Sequence, residues 1–323
     1  MRARGTLGAL LAACALALLA ATPAPPRVVS LNPSLTQILL ALDAEAALVG
    51  VDESSARLEP RVRGLPRVGG LFNPSLEAIV ALSPDFVALV PSAQQRGLAL
   101  RLAALGIEAL PLNNHGFDEL LDSIERLGDR VGRGDAARVR AAEIRAAFRA
   151  AETRTRTGAP PRTVLVLQRD PLFVVGGGSY LDVMLRAAGA ENAAAGFDEA
   201  YPQVSVEWLI AAAPELILDV ADPVGEALAH WQRWPSLPAV AAGRVLALDD
   251  SGLTMPGPYL DRALERLIER VDDAPGLSSE RVDGIARERS SERVDGIARE
   301  RSSERVDGIA RERSSERVDG GAR

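Results

Sequence analysis

The side chains of this sequence that could act on another molecule are mainly aromatic and acidic. The chain contains no lysine, two histidines and one cysteine. Without lysine it cannot form a Walker-type phosphate site, a Schiff base or a Ser-Lys dyad. A zinc site is hard to assemble from so few histidines and cysteines, and we predict no metal site. These residue types favour recognition of a ligand over catalysis.

Two aromatic residues stand beside turns, where a flat side chain can face a ligand. Phe173 comes shortly before Gly176-Gly-Gly-Ser179, and Tyr201 is followed directly by Pro202. An aromatic residue next to a strand usually packs in the core, which is the alternative for both. Their positions beside glycine and proline turns favour the edge of a cleft.

Two glutamates occupy equivalent positions in an internal repeat. A shift of 130 positions aligns Ser75, Glu77, Ala81, Pro84 and Val90 with Ser205, Glu207, Ala211, Pro214 and Val220. Each copy predicts a helix capped by serine, then a turn and a strand. Glu77 and Glu207 fall in the first helical turn, where a carboxylate also complements the helix dipole. An exposed acid can serve that purpose and still contact a partner protein.

A long helix from Asp135 to Gly158 separates the two copies. Asp135 suits the N-cap, and Gly158 suits the left-handed position that closes a helix. Its bulky apolar positions are Val139, Ile144 and Phe148. About 22 residues of helix would span roughly 33 Å. A surface helix of a single domain is the alternative interpretation.

Strand and helix patterns alternate on both sides of this helix, so we predict an α/β fold. Two similar α/β lobes would be joined by the single long helix. The predicted boundaries are residues 25–132 for the N-terminal lobe, 133–158 for the connecting helix and 159–274 for the C-terminal lobe. In the first lobe, Asn32-Pro33-Ser34 is expected to open a helix directly after the first strand.

The two ends of the chain differ from its body. Residues 1–24 have a basic start and a short apolar run, which predict a secretory signal peptide. Cys14 lies in a sequence that also resembles a lipoprotein cleavage box, but the apolar run continues beyond it. A polar twelve-residue unit fills most of residues 275–323, and we expect this tail to be disordered or marginally helical. We also expect residues 278–323 to be dispensable. The net charge of −7 argues against a general nucleic-acid binder.

Several segments resemble the iron-chelate and vitamin B12 family of periplasmic binding proteins over residues 27–270. They are Arg27–Thr36, the two Ser-x-Glu helix starts, Phe173–Ser179, Ala188–Asn192 and Tyr201–Ser205. The resemblance implies the helical-backbone (class III) fold and a monomeric, non-enzymatic protein of the periplasm without a cofactor. Such a protein binds a small metal chelate between its lobes with little movement. It delivers the chelate to a dimeric ABC permease with its ATPase.

The resemblance also implies roles for individual residues. The expected ligand contacts are Phe173, Tyr201, Phe72, Leu71, Asn32 and Pro33, and the expected permease-docking residues are Glu77 and Glu207. A corrinoid is the expected ligand, because the Tyr201 segment is similar to one that packs an aromatic ring on the corrin. Haem or a ferric siderophore is the alternative. An exported α/β hydrolase is more remote, since Gly177-Gly-Ser179-Tyr-Leu181 lacks the last glycine of a nucleophile elbow.

Overall fold

The computed structural model describes residues 24–275, apart from 156–157, 222 and 250. The repeats after Ser278 and all but the last residue of the predicted signal peptide lie outside the described residues. None of the described helices has the length and apolar character needed to cross a bilayer.

The N-terminal lobe is a parallel sheet covered by helices. Its strands are β1 (Val28–Ser30), β2 (Leu48–Val51), β3 (Phe86–Leu89) and β4 (Glu108–Pro111), in the order β2-β1-β3-β4. Its helices are α1 (Pro33–Ala41), α2 (Glu53–Leu58), α3 (Leu76–Ala81), α4 (Ala93–Ala104) and α5 (Phe117–Arg130). Every residue of β1 and β3 is buried, as is usual for parallel strands with both faces covered.

The start of α1 has the cap that the sequence predicts. The side-chain oxygen of Asn32 accepts a hydrogen bond from the backbone N–H of Ser34 at 2.9 Å. Pro33 occupies the first turn, where its missing N–H costs nothing and its fixed φ suits the helix. The helix therefore begins at the carboxyl end of β1.

The connecting helix α6 (Gly134–Glu152) contains 19 residues and is about 28 Å long. It is shorter than predicted, and both predicted caps are wrong. Asp135 lies inside the first turn, where it accepts a hydrogen bond from Arg138 at 2.8 Å instead of capping the helix. The helix ends before Thr153, while Gly158 takes a left-handed φ of 87° beyond it.

The buried stripe of α6 also differs from the prediction at one position. Ala137, Ala141, Ile144 and Phe148 are buried, and their four-three-four spacing keeps them on one helical face. Val139 is 58% exposed, because two residues after Ala137 the helix has turned by about 200°. The small alanines, and not Val139, continue the apolar face.

The C-terminal lobe has a second sheet. Its strands are β5 (Arg162–Arg169), β6 (Leu172–Val174), β7 (Glu191–Asn192), β8 (Leu216–Asp219) and β9 (Val245–Ala247). The order is β6-β5-β8-β9, with β7 beside β5, and β6 is antiparallel to β5. The helices are α7 (Tyr180–Ala187), α8 (Val206–Ala212), α9 (Ala227–Trp231), α10 (Pro238–Ala241), α11 (Ser251–Thr254) and α12 (Leu260–Asp272). The connection between β9 and α12 contains the short helix α11.

The internal repeat is visible in the backbone. Ser75 caps α3 and Ser205 caps α8, each by accepting a hydrogen bond from the N–H three residues later. Both units then turn through a left-handed residue, Ser83 with a φ of 46° and Ala213 with a φ of 45°. Such a conformation is costly for residues other than glycine, so its occurrence at both equivalent positions marks the turn as part of the repeat.

Each copy of the repeat also contains an acid that accepts a hydrogen bond from the backbone N–H of an arginine. The Asp85 carboxylate accepts a hydrogen bond from the backbone N–H of Arg27 at 2.7 Å, just before β1. At the equivalent point, the Glu215 carboxylate accepts one from the backbone N–H of Arg162 at 2.8 Å. Each acid ties the strand of its own unit to the first strand of its lobe. The aligned Asp85 and Glu215 therefore perform the same structural task.

The two lobes share one apolar core that runs along α6. The helix packs against α5 of the first lobe and against α7 and α12 of the second. The rings of Phe117 and Phe148 lie 4.4 Å apart between centroids. On the opposite lobe, Arg140 donates to the backbone oxygen of Pro258 at 2.6 Å and pairs with Asp261. Packing therefore attaches both lobes to the helix, and the ion pair adds to the attachment of the second lobe.

The left-handed conformation of Ala213, in the turn of the second repeat unit, can be tested by substitution. We expect Ala213→Gly to raise the free energy of unfolding by about 0.5–1 kcal/mol, because glycine adopts a positive φ without steric cost. The exposed helical position Ala211 is a matched control, and Ala211→Gly should lower stability by about 1 kcal/mol. Chemical denaturation measures both, and a destabilised Ala213→Gly variant would contradict the assigned conformation.

Candidate functional site

A cavity of about 570 Å³ lies between the two lobes. Its described lining residues are Asn32, Pro33, Ser34, Leu71, Phe72, Val90, Pro91, Ser92, Gln95, Asn114, His115, Leu167, Tyr180, Leu181, Tyr201, Thr254, Met255 and Pro256. Apolar and aromatic side chains dominate this set, and polar amides and hydroxyls are interspersed. A concave, mostly apolar space with a few polar groups is the usual form of a small-molecule site.

The first lobe contributes residues that follow its strands. The chain reaches the cavity after β1 at Asn32, after β3 at Val90 and after β4 at Asn114. Because these strands are parallel, their carboxyl ends meet at one edge of the sheet. Ligands of open α/β sheets bind outside that edge, which explains why residues so distant in sequence lie together.

The second lobe faces this edge with two tyrosines. The Tyr180 hydroxyl donates a hydrogen bond to the backbone oxygen of Leu253 at 2.8 Å, which fixes its ring at the start of α7. Tyr201 is half-buried in the segment before α8. Burial raises the pKa of Tyr201 to about 12, and burial together with the neighbouring Tyr201 raises the pKa of Tyr180 well above its ordinary value. Both rings therefore stay neutral at physiological pH.

Polar contacts between the lobes close one end of the cavity. The Ser34 hydroxyl donates to the backbone oxygen of Pro256 and accepts a hydrogen bond from the Asn114 amide at 3.2 Å. The backbone N–H of Tyr180 donates to the oxygen of His115 at 2.9 Å. These bonds join the first lobe directly to the second, beside the shared core.

Five of the six predicted ligand contacts line the cavity, namely Asn32, Pro33, Leu71, Phe72 and Tyr201. Phe72 is 72% exposed at its rim, so its ring is available to another molecule. Phe173 is not among the lining residues. It lies half-buried on β6, the edge strand of the second sheet, with its backbone opposite Gln203.

Several residues of the lining were not predicted from the sequence. Gln95 and Asn114 are nearly buried polar side chains, Tyr180 packs in the core, and His115 is exposed at the cavity wall. Tyr180 follows the Gly-Gly-Gly-Ser turn, and Ser179 caps α7 by accepting from the N–H of Asp182. The sequence did contain a signal for Tyr180, because this residue directly follows a helix-capping serine at a glycine turn.

The cavity wall is electrically neutral apart from one histidine. Among the described residues that line it, there is no aspartate, glutamate or arginine. Across the described residues, no group of three or more His, Cys, Asp and Glu side chains could hold a metal ion. The wall is therefore suited to a ligand that is largely apolar and offers hydrogen bonds from neutral groups.

The two repeated glutamates lie on the surface, away from the cavity lining. Glu77 and Glu207 are exposed in the first turns of α3 and α8. Hydrogen bonds from the residue's own backbone N–H and from the preceding cap serine lower the pKa of each carboxyl group. For Glu77, the serine is Ser75, whose hydroxyl donates at 3.0 Å. Both side chains are therefore held ionised and pointing outward.

Comparison with known proteins identifies the family. The model of the periplasmic binding protein family matches residues 28–251, which span both sheets and the connecting helix. The chain belongs to this family. The predicted helical-backbone fold is thereby confirmed, since solved periplasmic binding proteins have the same architecture.

Three similar proteins illustrate the range of the family. The vitamin B12-binding protein of Salmonella typhi is 31% identical over 214 residues, which cover 66% of this chain and 79% of that protein. The structure of a periplasmic vitamin B12-binding protein of Vibrio cholerae is 25% identical, with a TM-score of 0.66 over 78% of this chain and 99% of that one. A periplasmic heme-binding protein of Roseiflexus sp. RS-1 is 29% identical, with a TM-score of 0.66 over 77% and 99% of the two chains.

Membership of this family settles the general role of the protein. Periplasmic binding proteins bind a solute and do not convert it, so the chain is a binding protein and not an enzyme. As the substrate-binding component of an ABC importer, it works with a membrane permease and an ATPase. The periplasm is the compartment that the family indicates.

The pKa of Tyr201 gives a test of how deeply its ring is inserted. The folded protein keeps the Tyr201 proton up to about pH 12, whereas an unfolded tyrosine loses it near the ordinary value of 10.0. This contribution to stability is complete below pH 10 and is lost as the pH rises through 12. Tyr201→Phe should therefore make the decline in unfolding free energy between pH 10 and 12 shallower. Equal declines in variant and wild type would show that Tyr201 is solvated.

Proposed function

We propose that this protein captures a corrinoid in the cavity between its lobes and delivers it to the importer. The observation that carries the proposal is the neutral, mostly apolar cavity with Tyr201, Tyr180 and Phe72 along its walls. Aromatic side chains bury much area and fit against flat rings. The proposal is supported by similar proteins from Salmonella and Vibrio that are named for vitamin B12 binding.

Haem is the second candidate, and two observations favour it. Similar solved structures include heme-binding proteins, one of them in complex with two hemes. The cavity also contains His115 and Met255, which are residue types that ligate haem iron. Against haem, the raised pKa of Tyr201 opposes a tyrosinate ligand, and the described lining offers its propionates no arginine. Titration with a ferric siderophore, followed by tryptophan fluorescence, would distinguish this ligand from both.

We extend the proposal to the cellular route of the protein. Residues 1–24 would direct export and be removed, leaving a monomer in the periplasm, and Cys14 would not carry a lipid. Residues 25–132, 133–158 and 159–274 would act as first lobe, connector and second lobe. The connector boundary includes residues beyond α6, which ends at Glu152.

Replacing Tyr201 tests the ligand site. Tyr201→Ala should weaken cyanocobalamin binding roughly tenfold to a hundredfold, because it removes an aromatic face from the contact. Tyr259→Ala is the matched control, since Tyr259 is exposed and is not part of the lining. Quenching of tryptophan fluorescence gives both affinities. If Tyr201→Ala binds cyanocobalamin as wild type does, Tyr201 is outside the site. Phe173→Ala, assayed in parallel, tests the remaining sequence prediction.

The repeat suggests how the protein meets its permease. Glu77 and Glu207 occupy equivalent points of the two lobes, and both project into solvent. Such a pair suits a two-fold symmetric partner, because each lobe can face one copy of a dimeric permease. Single exposed ion pairs contribute little affinity, so the acids would mainly set orientation and association rate.

Charge reversal tests this docking. Glu77→Arg combined with Glu207→Arg should leave cyanocobalamin affinity near that of wild type and abolish stimulation of the transporter's ATPase. The control is Asp118→Arg with Glu265→Arg, which makes the same change at two other exposed acids, one of them in a first helical turn. Normal ATPase stimulation by the Glu77 and Glu207 variant would reduce these acids to helix-dipole partners.

A further inference from the structure

A tight turn at residues 70–73 carries two of the apolar side chains that line the cavity. The backbone N–H of Asn73 donates to the oxygen of Gly70 at 3.2 Å and closes the turn. Leu71 and Phe72 lie at its centre, and both are part of the lining. These four residues are called the rim turn below, because the Phe72 ring is exposed at the rim of the cavity.

The base of the rim turn is attached to the first lobe by backbone hydrogen bonds. The N–H of Ser75 donates to the oxygen of Val68 at 2.7 Å, and the N–H of Glu53 donates to the oxygen of Gly69 at 2.9 Å. These bonds fix where the turn leaves the lobe. The position of its tip depends on contact with the cavity wall.

Gln95 supplies such a contact from the cavity wall. It lies in the first turn of α4, where Ser92 accepts a hydrogen bond from its backbone N–H at 3.2 Å. Its side-chain nitrogen Nε2 donates to the backbone oxygen of Leu71 at 3.3 Å. Because a carbonyl oxygen can only accept, the nitrogen end of the amide must face the rim turn. The residue is 4% exposed, so little water competes for this bond.

The other end of the Gln95 amide shows that this contact is held at a cost. Its oxygen Oε1 is buried and accepts no hydrogen bond from any residue that the structure describes. A buried acceptor without a partner is unfavourable, so an apolar side chain of similar shape would suit the stability of the fold as well or better. The glutamine is therefore better explained by what its nitrogen holds than by stability.

We propose that Gln95 is a positioning residue of the ligand site. Its amide holds the rim turn against the cavity, so that Leu71 and Phe72 form a preformed part of the wall. The inference rests on the corrinoid-binding function proposed above. A turn that is already in place loses little conformational entropy on binding, and a large apolar ligand then gains the full contact with both side chains.

Gln95→Met tests the proposal, because it removes the amide and nearly keeps the length of the side chain. The variant should bind cyanocobalamin about threefold to tenfold more weakly, the effect of about one hydrogen bond, and should release it faster. Its Tm should not fall, since the change also removes the buried Oε1. Tryptophan fluorescence in equilibrium and stopped-flow experiments gives the affinity and the dissociation rate, and calorimetry gives the Tm.

A background without the two turn side chains separates positioning from direct contact with the ligand. Adding Gln95→Met to Leu71→Ala with Phe72→Ala should change the affinity by less than about twofold, because the wall that Gln95 holds is already gone. An equal effect of Gln95→Met in both backgrounds would show that it acts independently of the rim turn and would overturn the proposal. So would a Gln95→Met variant that binds cyanocobalamin as wild type does.

Hydrogen–deuterium exchange without ligand tests the contact between Gln95 and the turn itself. The Asn73 amide, which donates within the rim turn, should exchange faster in Gln95→Met than in wild type. Unchanged exchange of this amide would contradict the proposal.

Gln168→Met is the matched control, because Gln168 is exposed outside the cavity and its amide also donates to a backbone oxygen, that of Asp170. It should leave both the affinity and the exchange of Asn73 unchanged. A wild type that does not bind cyanocobalamin, but whose Asn73 exchange responds to Gln95→Met, would refute the corrinoid function and leave the contact with the turn established.

Discussion

The packing of α6 between the two lobes is the contact on which the rest of the structure depends. Its buried stripe belongs to a core that continues from α1 and α5 into α7 and α12. Residues such as Ile144 and Phe148 are part of both halves at once. Separating the lobes would expose this core, which is far more costly than breaking a few hinge hydrogen bonds.

We infer that this packing sets the width of the cavity before any ligand binds. The Ser34, Asn114 and Tyr180 contacts hold the lobe edges together at one end, and the remainder stays open toward solvent. A preformed site loses little conformational entropy on binding, so modest contacts can give useful affinity. In the proposed function, the neutral wall and the two protonated tyrosines favour a flat, largely apolar ligand. The acids on α3 and α8 remain free for another surface.

Local and repeated features of the fold could be predicted from the sequence. Asn32, Ser75 and Ser205 act as caps because their side chains bond to nearby backbone, a relation that sequence alone contains. Glu77 and Glu207 could be predicted as a pair as well, because the repeat is a pattern within the sequence. Features that depend on tertiary packing were harder to predict. The sequence predicted Val139 as a core residue, but the alanines form the buried face, and Phe173 on β6 is not among the described lining residues.

The lining residues that were not predicted from the sequence were missed for one common reason. Gln95, Asn114 and His115 reach the cavity because β3 and β4 end at the same edge of the sheet, and strand order is a property of the fold rather than of any one segment. Gln95 in particular looks like an ordinary helix residue in the sequence. Its place in the cavity wall appears only in the folded structure.

Electron–electron distance measurement tests directly whether the packing of α6 holds the two lobes at a fixed distance. Leu100→Cys and Leu228→Cys place spin labels on exposed positions of the first and second lobes, in a chain whose only other cysteine is Cys14. With Cys14 removed, the distance distribution should shift by less than about 2 Å when cyanocobalamin saturates the tryptophan fluorescence signal. A shift well beyond about 2 Å would show that the lobes close around the ligand, and would contradict a core that holds them at one separation.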